Sequence, residues 1–352
     1  MSDLSAALQQ QVHDSISSNV LLNICGGNSK IFLGHRAQGV ALSVVEHRGI
    51  IEYDPRELVL TALAGTPLVE IEAALSDADQ MLTFEPPHFG KQATLGGTLA
   101  CGLSGPRRPY AGAARDAVLG CKLLNGKGEL LRFGGRVIKN VAGYDISRLM
   151  VGAYGTLGVL LECSLKVLPR PASSLTVIHE CAPEAAIDRM SQLLSQPIPV
   201  DASCYHAGHL SIRLAGSEQA VKHAHDNLGG EVIENGASFW HALREQQLPF
   251  FQSATPLYRI LVKPDTSSLP IAGNWLLDWG GAQRWLVSDT PLAAIRECVA
   301  AVGGHVTCFR NNEPHSEVFE PLTTPLFKLH QRLKNSFDPH GIFNRGRMFT
   351  GL

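Results

Sequence analysis

Apolar residues in the first half of the chain come in short runs that end at glycine, asparagine or proline, which predicts strands joined by tight loops. The predicted strands are residues 20–25, 58–63, 118–124, 129–133 and 159–167. An Asn-Gly-Lys-Gly turn at 125–128 predicts a hairpin between the third and fourth strands. A helix is predicted over 67–75, because a proline begins it and apolar residues recur at helical spacing. The polar N-terminus predicts a capped amphipathic helix and not a signal peptide.

After Pro171 the pattern changes to strands that alternate with helices. The order is β-α-β-β-α-β, which is typical of ferredoxin-like folds. It comprises strands 175–181, 200–205, 210–214 and 231–234 and helices 183–194 and 217–228. A looser repeat follows, with strands 257–262, 274–279, 284–287 and 305–310 and a helix at 291–302. We therefore expect an α+β fold whose second half is a mostly antiparallel sheet covered by helices on one face, with a last helix over 324–336.

Composition narrows the class of protein. The chain has 352 residues, 30 Lys and Arg against 32 Asp and Glu, 45% hydrophobic and 18% charged residues. These values exclude a disordered, coiled-coil or collagen-like chain. A net charge of −2 gives no general attraction to nucleic acid or to anionic lipid, so any anion site must be local. The longest apolar stretch, 149–161, is too short to cross a bilayer, and we expect a cytoplasmic protein without a transmembrane segment.

Metal chemistry is not expected in this chain. Its eight cysteines include no Cys-x-x-Cys pair, so the spacing for an iron–sulfur cluster or a structural zinc site is missing. The histidine pairs His206/His209 and His223/His225 are poor chelates, because each pair spans a strand turn or points to different sides of a helix. We predict no metal site. If electrons leave this protein for a cluster, another chain must hold that cluster.

Two glycine-rich segments are candidates for an anion site. Gly26-Gly27-Asn28-Ser29 follows a predicted strand, and Thr94-Leu95-Gly96-Gly97-Thr98 precedes an apolar stretch that reads as a helix. Successive backbone N–H groups without a Cβ can converge on a phosphate, although a simple hairpin turn also explains the first segment. Together the two loops predict a site for a diphosphate. Rossmann and P-loop fingerprints are absent from the sequence, and so is a nucleophile elbow.

These loops, followed by further motifs in a fixed order, carry a resemblance to a known family. The further motifs are Gly102, Arg107-Arg108-Pro109-Tyr110, Asp116, Asn125–Gly128, Lys139–Asp145, Gly155–Val159 and the tail 337–344. The chain resembles the PCMH-type (vanillyl-alcohol-oxidase) family of FAD flavoproteins, and within it the FAD-binding E subunits of bacterial glycolate oxidases. The resemblance is dense over 20–170 and clear over the last 30 residues.

The resemblance implies a domain organisation. Residues 1–170 would form a PCMH-type FAD-binding domain made of two α+β subdomains. Residues 171–322 would form a ferredoxin-like α+β cap, and residues 323–352 a C-terminal helix and tail that return to the FAD site. In the family the tail usually reads Asn-Pro-Gly, whereas here it reads Asn344-Arg345-Gly346, which affects only the local backbone.

The resemblance also implies which residues bind FAD. The first loop would hold the pyrophosphate, the second loop would clamp the pyrophosphate and ribityl chain, Gly102 and Ser104 would face the flavin, and the segment from Gly155 would pair with the adenine. The implied cofactor-binding residues are Gly26, Gly27, Asn28, Ser29, Thr94, Gly96, Gly97, Thr98, Gly102, Ser104, Arg107, Gly155, Gly158, Val159 and Asn344. Some members tether FAD through a histidine in the first loop. Because Asn28 and Ser29 stand there, we predict non-covalent FAD.

The implied function is oxidation of glycolate, with D-lactate as a second candidate, to the 2-oxo acid. The flavin would accept the hydride, and an iron–sulfur partner subunit would receive the electrons, alongside a second FAD-binding subunit. Such a complex could place the chain at the inner membrane as a peripheral subunit. The partner molecule is then a small 2-hydroxy acid and not nucleic acid. Two alternatives stay open: a non-catalytic FAD-carrying assembly subunit, and a stand-alone FAD-dependent alcohol or hydroxy-acid oxidoreductase.

The catalytic residues are less clear from the sequence. A 2-hydroxy acid calls for an arginine at its carboxylate and a histidine or tyrosine as base. The candidates are Arg107, Tyr110, Arg310 and His315. The plainer explanation for each is a surface charge or a phosphate partner. Arg107 is the best candidate, and it is a candidate for the FAD pyrophosphate as well as for the substrate.

Overall fold

The computed structural model describes residues 1–135, 145–311 and 317–352. The helices are α1 (Ser5–Ser18), α2 (Leu68–Ser76), α3 (Leu95–Cys101), α4 (Arg108–Ala111), α5 (Ala114–Ala117), α6 (Ile146–Leu149), α7 (Pro183–Leu193), α8 (Glu218–Leu228), α9 (Gly236–Arg244), α10 (Leu292–Ala301) and α11 (Thr324–Phe337). The strands are β1 (Leu22–Cys25), β2 (Val40–Ser43), β3 (Ile50–Asp54), β4 (Val59–Leu63), β5 (Gln80–Leu82), β6 (Val118–Leu124), β7 (Leu130–Gly134), β8 (Val159–Pro169), β9 (Ser173–Glu180), β10 (Val200–His206), β11 (His209–Gly216), β12 (Glu231–Val232), β13 (Leu257–Leu261), β14 (Asn274–Asp278), β15 (Gln283–Val287) and β16 (His305–Arg310).

The chain divides into two compact units. The first unit comprises Met1–Ser104, Gly112–Arg170 and Pro321–Leu352. The second unit comprises Gly105–Ala111 and Pro171–Glu320. Neither unit is therefore continuous in sequence, and the short segment 105–111 belongs to the second unit although the first unit flanks it on both sides.

The first unit contains two separate sheets. Strands β1 and β2 form a parallel pair, while β3, β4, β8, β6 and β7 form an antiparallel sheet in that order, with β5 added along β8. The predicted hairpin is confirmed, since β6 and β7 pair in antiparallel fashion with Leu124 opposite Leu130. The side chain of Asn125 closes its turn by accepting hydrogen bonds from the backbone N–H groups of Lys127 (3.0 Å) and Glu129 (2.9 Å).

The first unit has two apolar cores, and the antiparallel sheet contributes residues to both. One core joins the antiparallel sheet to α2 and α3, and includes Leu60, Leu68, Ile71, Leu95, Leu123 and Leu165. The other joins α1, β1, β2 and the C-terminal tail to β6 and β8, and includes Leu8, Val12, Leu22, Leu42, Leu124, Val159, Leu161 and Phe343. Leu8 and Val12 stand one helical turn apart, which explains why this amphipathic sequence folds as α1.

A buried histidine fixes the start of α1. The ring of His47 is fully buried. Its Nδ1 accepts a hydrogen bond from the backbone N–H of Leu4 (2.9 Å), so the proton must sit on Nε2, which donates to the Leu161 carbonyl (2.9 Å). Burial lowers the pKa of His47. The neutral tautomer therefore links the N-terminus to β8.

The second unit is built on one antiparallel sheet with the strand order β12-β9-β11-β10-β14-β15-β13-β16. When the strands of each half are numbered in chain order, the first four have the 4-1-3-2 order of a ferredoxin-like fold. The last four have the same order when they are read from β16 inwards. The two repeats join where β10 pairs with β14, Tyr205 opposite Leu277. The predicted α+β class and antiparallel sheet are confirmed.

The second repeat lacks one of its two helices in the part of the chain that is described. In place of that helix, a loop connects β13 to β14, and the buried Arg284 side chain holds it. The Arg284 guanidinium donates to the carbonyl oxygens of Ser267 (2.9 Å), Gly281 (3.1 Å) and Thr266. This loop explains why the sequence pattern of the second repeat is looser than that of the first.

Candidate functional site

The two predicted glycine loops lie directly against each other in the first unit. A Cβ on Gly26 would stand 2.4 Å from the Thr94 hydroxyl oxygen, and one on Gly27 would stand 1.5 Å from the Gln92 carbonyl oxygen. Real Cβ atoms do not approach other atoms this closely, so only glycine allows the two segments to pack here. Segments that are about seventy residues apart in the printed sequence thus form one continuous wall of bare main chain.

Thr94 and the two glycines after it shape the start of α3. Thr94 is the N-cap residue, and its hydroxyl accepts a hydrogen bond from the Gly97 N–H (3.3 Å). The Gly96 N–H donates to the Ala64 carbonyl (2.7 Å), and a Cβ on Gly96 would lie 2.7 Å from the Ala64 Cβ. Gly96 therefore lets α3 approach the end of β4, and the helix start lines the groove.

A groove with a volume of about 500 Å³ runs along this wall. Its charged wall residues are Lys30, Arg36 and Arg347, and none of the described residues that line it is an aspartate or glutamate. The other wall residues are Asn23, Ile24, Cys25, Gly26, Gly27, Asn28, Ser29, Ile31, Phe32, Gly34, Ala37, Thr94, Gly97, Ala100, Cys101, Tyr154 and Asn344. In a chain of net charge −2, three cations with no carboxylate among them make a local anion site.

A smaller cavity of about 60 Å³ adjoins the inner end of the groove. It shares Ile24, Gly26, Gly97, Ala100, Tyr154 and Asn344 with the groove. Its remaining wall residues are apolar or glycine: Val44, Gly96, Met150, Ala153, Gly155, Leu157, Gly158 and Leu160. The site thus changes from a cationic outer part to an apolar inner part, which suits a ligand with a charged diphosphate and a flat ring system.

Asn344 brings the C-terminal tail into this site. Its Oδ1 accepts a hydrogen bond from the Ile24 N–H (2.7 Å), and its Nδ2 donates to the Tyr154 carbonyl (2.7 Å). A Cβ on Gly155, whose φ is +70°, would stand 2.7 Å from the Asn344 Nδ2. The buried Asn344 side chain therefore ties β1 to the segment from Gly155, and both of these line the inner cavity.

Two of the three cations of the groove, Lys30 and Arg347, are held by backbone carbonyls. The buried Lys30 ammonium donates to the His88 carbonyl (3.1 Å) and to the Ser29 hydroxyl (3.3 Å). Arg347 donates to the carbonyls of His35 (2.7 Å) and Ile31 (3.1 Å). Burial lowers the pKa of Arg347, which nonetheless keeps its charge at neutral pH. These positive charges are fixed in position before any ligand arrives.

Some predicted cofactor residues form no part of the described walls of either cavity. Thr98 is buried, and its hydroxyl has no hydrogen-bond partner among the described residues. Gly102 ends α3 with a φ of +64°. The Ser104 hydroxyl accepts a hydrogen bond from the Ala114 N–H (3.0 Å), and Val159 is fully buried at the start of β8. Their role toward the cofactor stays a prediction.

The catalytic candidates belong to the second unit or lie outside the described residues. Arg107 places its Nε 2.7 Å from one carboxylate oxygen of Asp201, whose other oxygen is 2.8 Å from the Nε of Arg213. The Tyr110 hydroxyl lies 3.3 Å from the Ser203 hydroxyl. Burial raises the pKa of Tyr110 to about 12.

The structure gives fewer contacts for the remaining two catalytic candidates, Arg310 and His315. Burial lowers the pKa of Arg310, whose guanidinium carbon is 5.7 Å from the centre of the Phe309 ring. His315 and most of the motif Lys139–Asp145 lie outside the described residues. The structure therefore gives no grouping of all four candidates, and their catalytic roles stay predictions.

Sequence reasoning missed the cationic wall of the groove. Lys30 directly follows the first glycine loop, so its position was a usable indication of an anion site. Arg36 and Arg347 had no such indication, because nothing local in the sequence links the tail to residues 31–35. Within the described ranges there is no group of three or more His, Cys, Asp or Glu residues placed to hold a metal ion. In the same ranges no helix is both long enough and apolar enough to cross a bilayer.

Comparison with known proteins gives a consistent picture. An FAD binding domain model matches residues 5–134. The glycolate oxidase subunit GlcE of Escherichia coli (strain K12) is 51% identical over 350 residues, which cover 99% of each chain. The glycolate oxidase subunit GlcD of Bacillus subtilis (strain 168) is 31% identical over 157 residues, covering 44% of this chain and 32% of that protein.

A solved structure shows the same fold at low sequence identity. An alkyldihydroxyacetonephosphate synthase superposes with a TM-score of 0.67 at 16% identity, covering 96% of this chain and 73% of the other. The cofactor of the present chain is FAD, whose diphosphate suits the cationic groove. The chain belongs to the PCMH-type FAD-binding family that includes the glycolate oxidase subunit GlcE.

Proposed function

We propose that this protein is an FAD-carrying subunit of a glycolate-oxidising complex. The observation that supports it most is the groove between the two glycine loops, whose described wall residues include three cations and no aspartate or glutamate. Similarity to GlcE over 99% of both chains supports the same role in a multi-subunit enzyme. In that complex the partners would be a second FAD-binding subunit and an iron–sulfur subunit, and the substrate glycolate or D-lactate.

In this proposal the chain's residues divide the work of binding. Backbone N–H groups of residues 26–29, together with Lys30 and Arg36, bind the diphosphate. The segment from Gly155 and the buried Asn344 form the inner wall and exclude water from it. Bound FAD would supply a redox centre that can accept and release two electrons. Since no histidine stands at positions 28 and 29, FAD is held without a covalent bond.

The domain roles follow the same proposal. The first unit is the FAD-binding domain, and its C-terminal part, residues 321–352, returns to complete the groove. The second unit is the cap. Residues Thr98, Gly102, Ser104 and Val159 then support the cofactor loops from behind the walls of the groove.

Within the proposed complex, we favour electron relay by this chain over oxidation of the substrate by its own side chains. The Arg107 Nε lies 2.7 Å from the Asp201 carboxylate, so this donor has an anionic partner before any substrate carboxylate arrives. A phenol with a pKa of about 12 stays protonated at neutral pH, so Tyr110 is a poor general base. In that relay the second FAD-binding subunit would oxidise the 2-hydroxy acid and reduce the FAD of this chain, from which the electrons would pass to the iron–sulfur partner.

The deciding experiment follows the absorption of FAD bound to the full-length chain under anaerobic conditions. A relay subunit keeps its oxidised flavin spectrum with excess glycolate or D-lactate and is reduced only after the partner subunits are added. Bleaching by either acid in the isolated chain would instead favour the stand-alone oxidoreductase. A flavin that stays oxidised in the complete, active complex would favour the assembly subunit. A chain that binds no FAD at all would remove the proposal.

A further inference from the structure

The last residues of the chain form a strap across the loop that follows the first glycine segment. We define the strap as residues 344–352 and the loop as residues 30–37. Arg347 joins the strap to the loop both as a hydrogen-bond acceptor and as a donor. Its carbonyl accepts a hydrogen bond from the His35 N–H (2.9 Å), and its guanidinium donates to the carbonyls of His35 (2.7 Å) and Ile31 (3.1 Å).

The same arginine also forms part of the groove wall, alongside Lys30 and Arg36. A guanidinium has five N–H donors, and the two carbonyl bonds leave further donors available to a ligand. Its charge is held beside a groove without a described carboxylate, so a diphosphate would be its natural counter-ion. The Arg347 side chain thus bonds to the loop and also lines the groove.

The strap is anchored independently at its other end. The Phe349 ring packs edge-on against the His330 ring of α11, with 5.7 Å between ring centres. Met348, Phe349 and Leu352 line a separate apolar cavity of about 150 Å³ beside α11. The strap is therefore fixed to α11 by packing, while Arg347 alone couples it by charge to the groove.

We propose that Arg347 is a positioning residue for FAD: it latches the C-terminal strap onto loop 30–37 and presents its charge to the FAD diphosphate. FAD binding then tightens the strap, and FAD release requires the latch to loosen. This inference rests on the proposed function in one respect, that the groove is the FAD site. Nothing in it depends on which substrate the complex oxidises.

The test measures FAD affinity by quenching of flavin fluorescence on the full-length chain, at salt from about 0.05 M to about 0.5 M. Arg347→Met removes the charge but keeps the stem, and Arg347→Lys keeps the charge but loses the forked geometry. Arg345→Met is the matched control, because Arg345 is exposed and does not line the groove. Circular dichroism and thermal unfolding of each variant show that it is folded.

The latch predicts that Arg347→Met raises the Kd for FAD about tenfold or more, the effect of one charge-assisted hydrogen bond. Its Kd should also depend less on salt than that of the wild type, since one charge is gone. Arg347→Lys should restore the salt dependence while its Kd stays above the wild-type value. Hydrogen exchange of amides 30–37 should slow on FAD binding in the wild type and slow less in Arg347→Met.

Several results would overturn the latch. They are a Kd within about twofold of wild type for Arg347→Met, an equal loss in Arg345→Met, or Lys and Met variants with the same Kd and salt dependence. The last result would mean that the arginine only fills space. In each case the wild type still binds FAD and the proposed function stands. A wild-type chain that binds no FAD would instead count against the proposed function itself.

Discussion

Replacing Lys334 by methionine removes a buried ammonium group and keeps its aliphatic stem. In the structure the Lys334 Nζ donates three hydrogen bonds of 2.7 Å, to the Thr156 carbonyl, the Phe343 carbonyl and the Asp338 carboxylate. The side chains of Lys334 and Asp338 are only 9% and 0% exposed. This ion pair links α11 to the tail and to the segment before β8, so it holds together the part of the first unit that surrounds the groove.

The size of the effect follows from the charge that is left behind. Breaking a buried ion pair by removing one partner costs about 3–5 kcal/mol. Asp338 keeps two other donors, the N–H groups of Ile342 (3.1 Å) and Phe343 (2.8 Å), so we expect a loss near the lower limit. A loss of about 3 kcal/mol corresponds to a fall in Tm of about 6–12 °C for a unit of this size.

The assay must report on the first unit. All four tryptophans lie in the second unit, so their fluorescence would follow the wrong part of the chain. Urea unfolding should be followed instead by the release of FAD, with far-UV circular dichroism as a second probe. Lys328→Met on the exposed side of the same helix is the matched control and should change stability by less than about 0.5 kcal/mol.

A double variant separates the lost pair from general damage. With Asp338→Asn added, no carboxylate is left buried without its cation, so the double variant should lose at least about 1 kcal/mol less than the sum of the single losses. Strict additivity would refute the reasoning. So would a loss below about 1 kcal/mol for Lys334→Met, because it would mean that the ammonium is solvated in solution.

Three further predictions concern single residues. The unfolded chain protonates His47 near its ordinary pKa of 6.5, whereas burial lowers the pKa of His47 in the folded state. The free energy of unfolding should therefore fall as pH drops below about 6.5. Denaturant titrations should show a smaller fall with pH in His47→Gln, and the same fall as in the wild type would assign the effect to other groups. Gly27→Ala forces a Cβ against the Gln92 carbonyl and should abolish FAD binding measured by gel filtration and absorbance, whereas Gly216→Ala, whose Cβ meets nothing closer than 3.6 Å, should bind FAD normally. Tyr110→Phe should leave the rate of glycolate-dependent dye reduction by the complete complex within about twofold of wild type, because a phenol with a pKa of about 12 cannot act as a base at neutral pH. A loss of about a hundredfold in that rate would instead show that Tyr110 is catalytic.

Most elements of the second unit could be predicted closely because they have strong local patterns. Helix α7, predicted over 183–194, spans Pro183–Leu193, since a proline begins it and apolar residues recur on one face. The predicted strand 231–234 is only Glu231–Val232, an exposed edge strand that the sheet pairs on one side. Regular periodicity and end residues are local properties, which is why they can be detected without the fold.

Elements that depend on distant partners were not predicted. Strand β2 has three exposed residues out of four and forms its sheet with β1 alone, so its pattern does not mark it as a strand. Helix α9 begins at a glycine, and its buried Trp240 is fixed by a hydrogen bond from its ring N–H to the Thr176 hydroxyl (3.0 Å). Tertiary contacts decide both elements, and a single sequence does not show such contacts.

The features of the candidate site also differ in whether local sequence or distant contacts determine them. The two glycine loops could be predicted, because a need for bare main chain is visible in the residues themselves. The cations of the groove were missed, and Arg347 could not have been found, since it and its carbonyl partner at His35 are 312 residues apart along the chain. Only the fold brings them together, so a sequence search for a phosphate site finds the loops and misses the charge.

The discontinuity of the first unit has a consequence for biosynthesis. The backbone N–H of Leu22 bonds to the carbonyl of Ile342 (2.8 Å), so β1 is complete only when the end of the chain has been made. The whole second unit is therefore synthesised before the first unit can complete its fold. Newly made chains therefore hold an incomplete groove until residues 342–344 have been synthesised and can bond to β1.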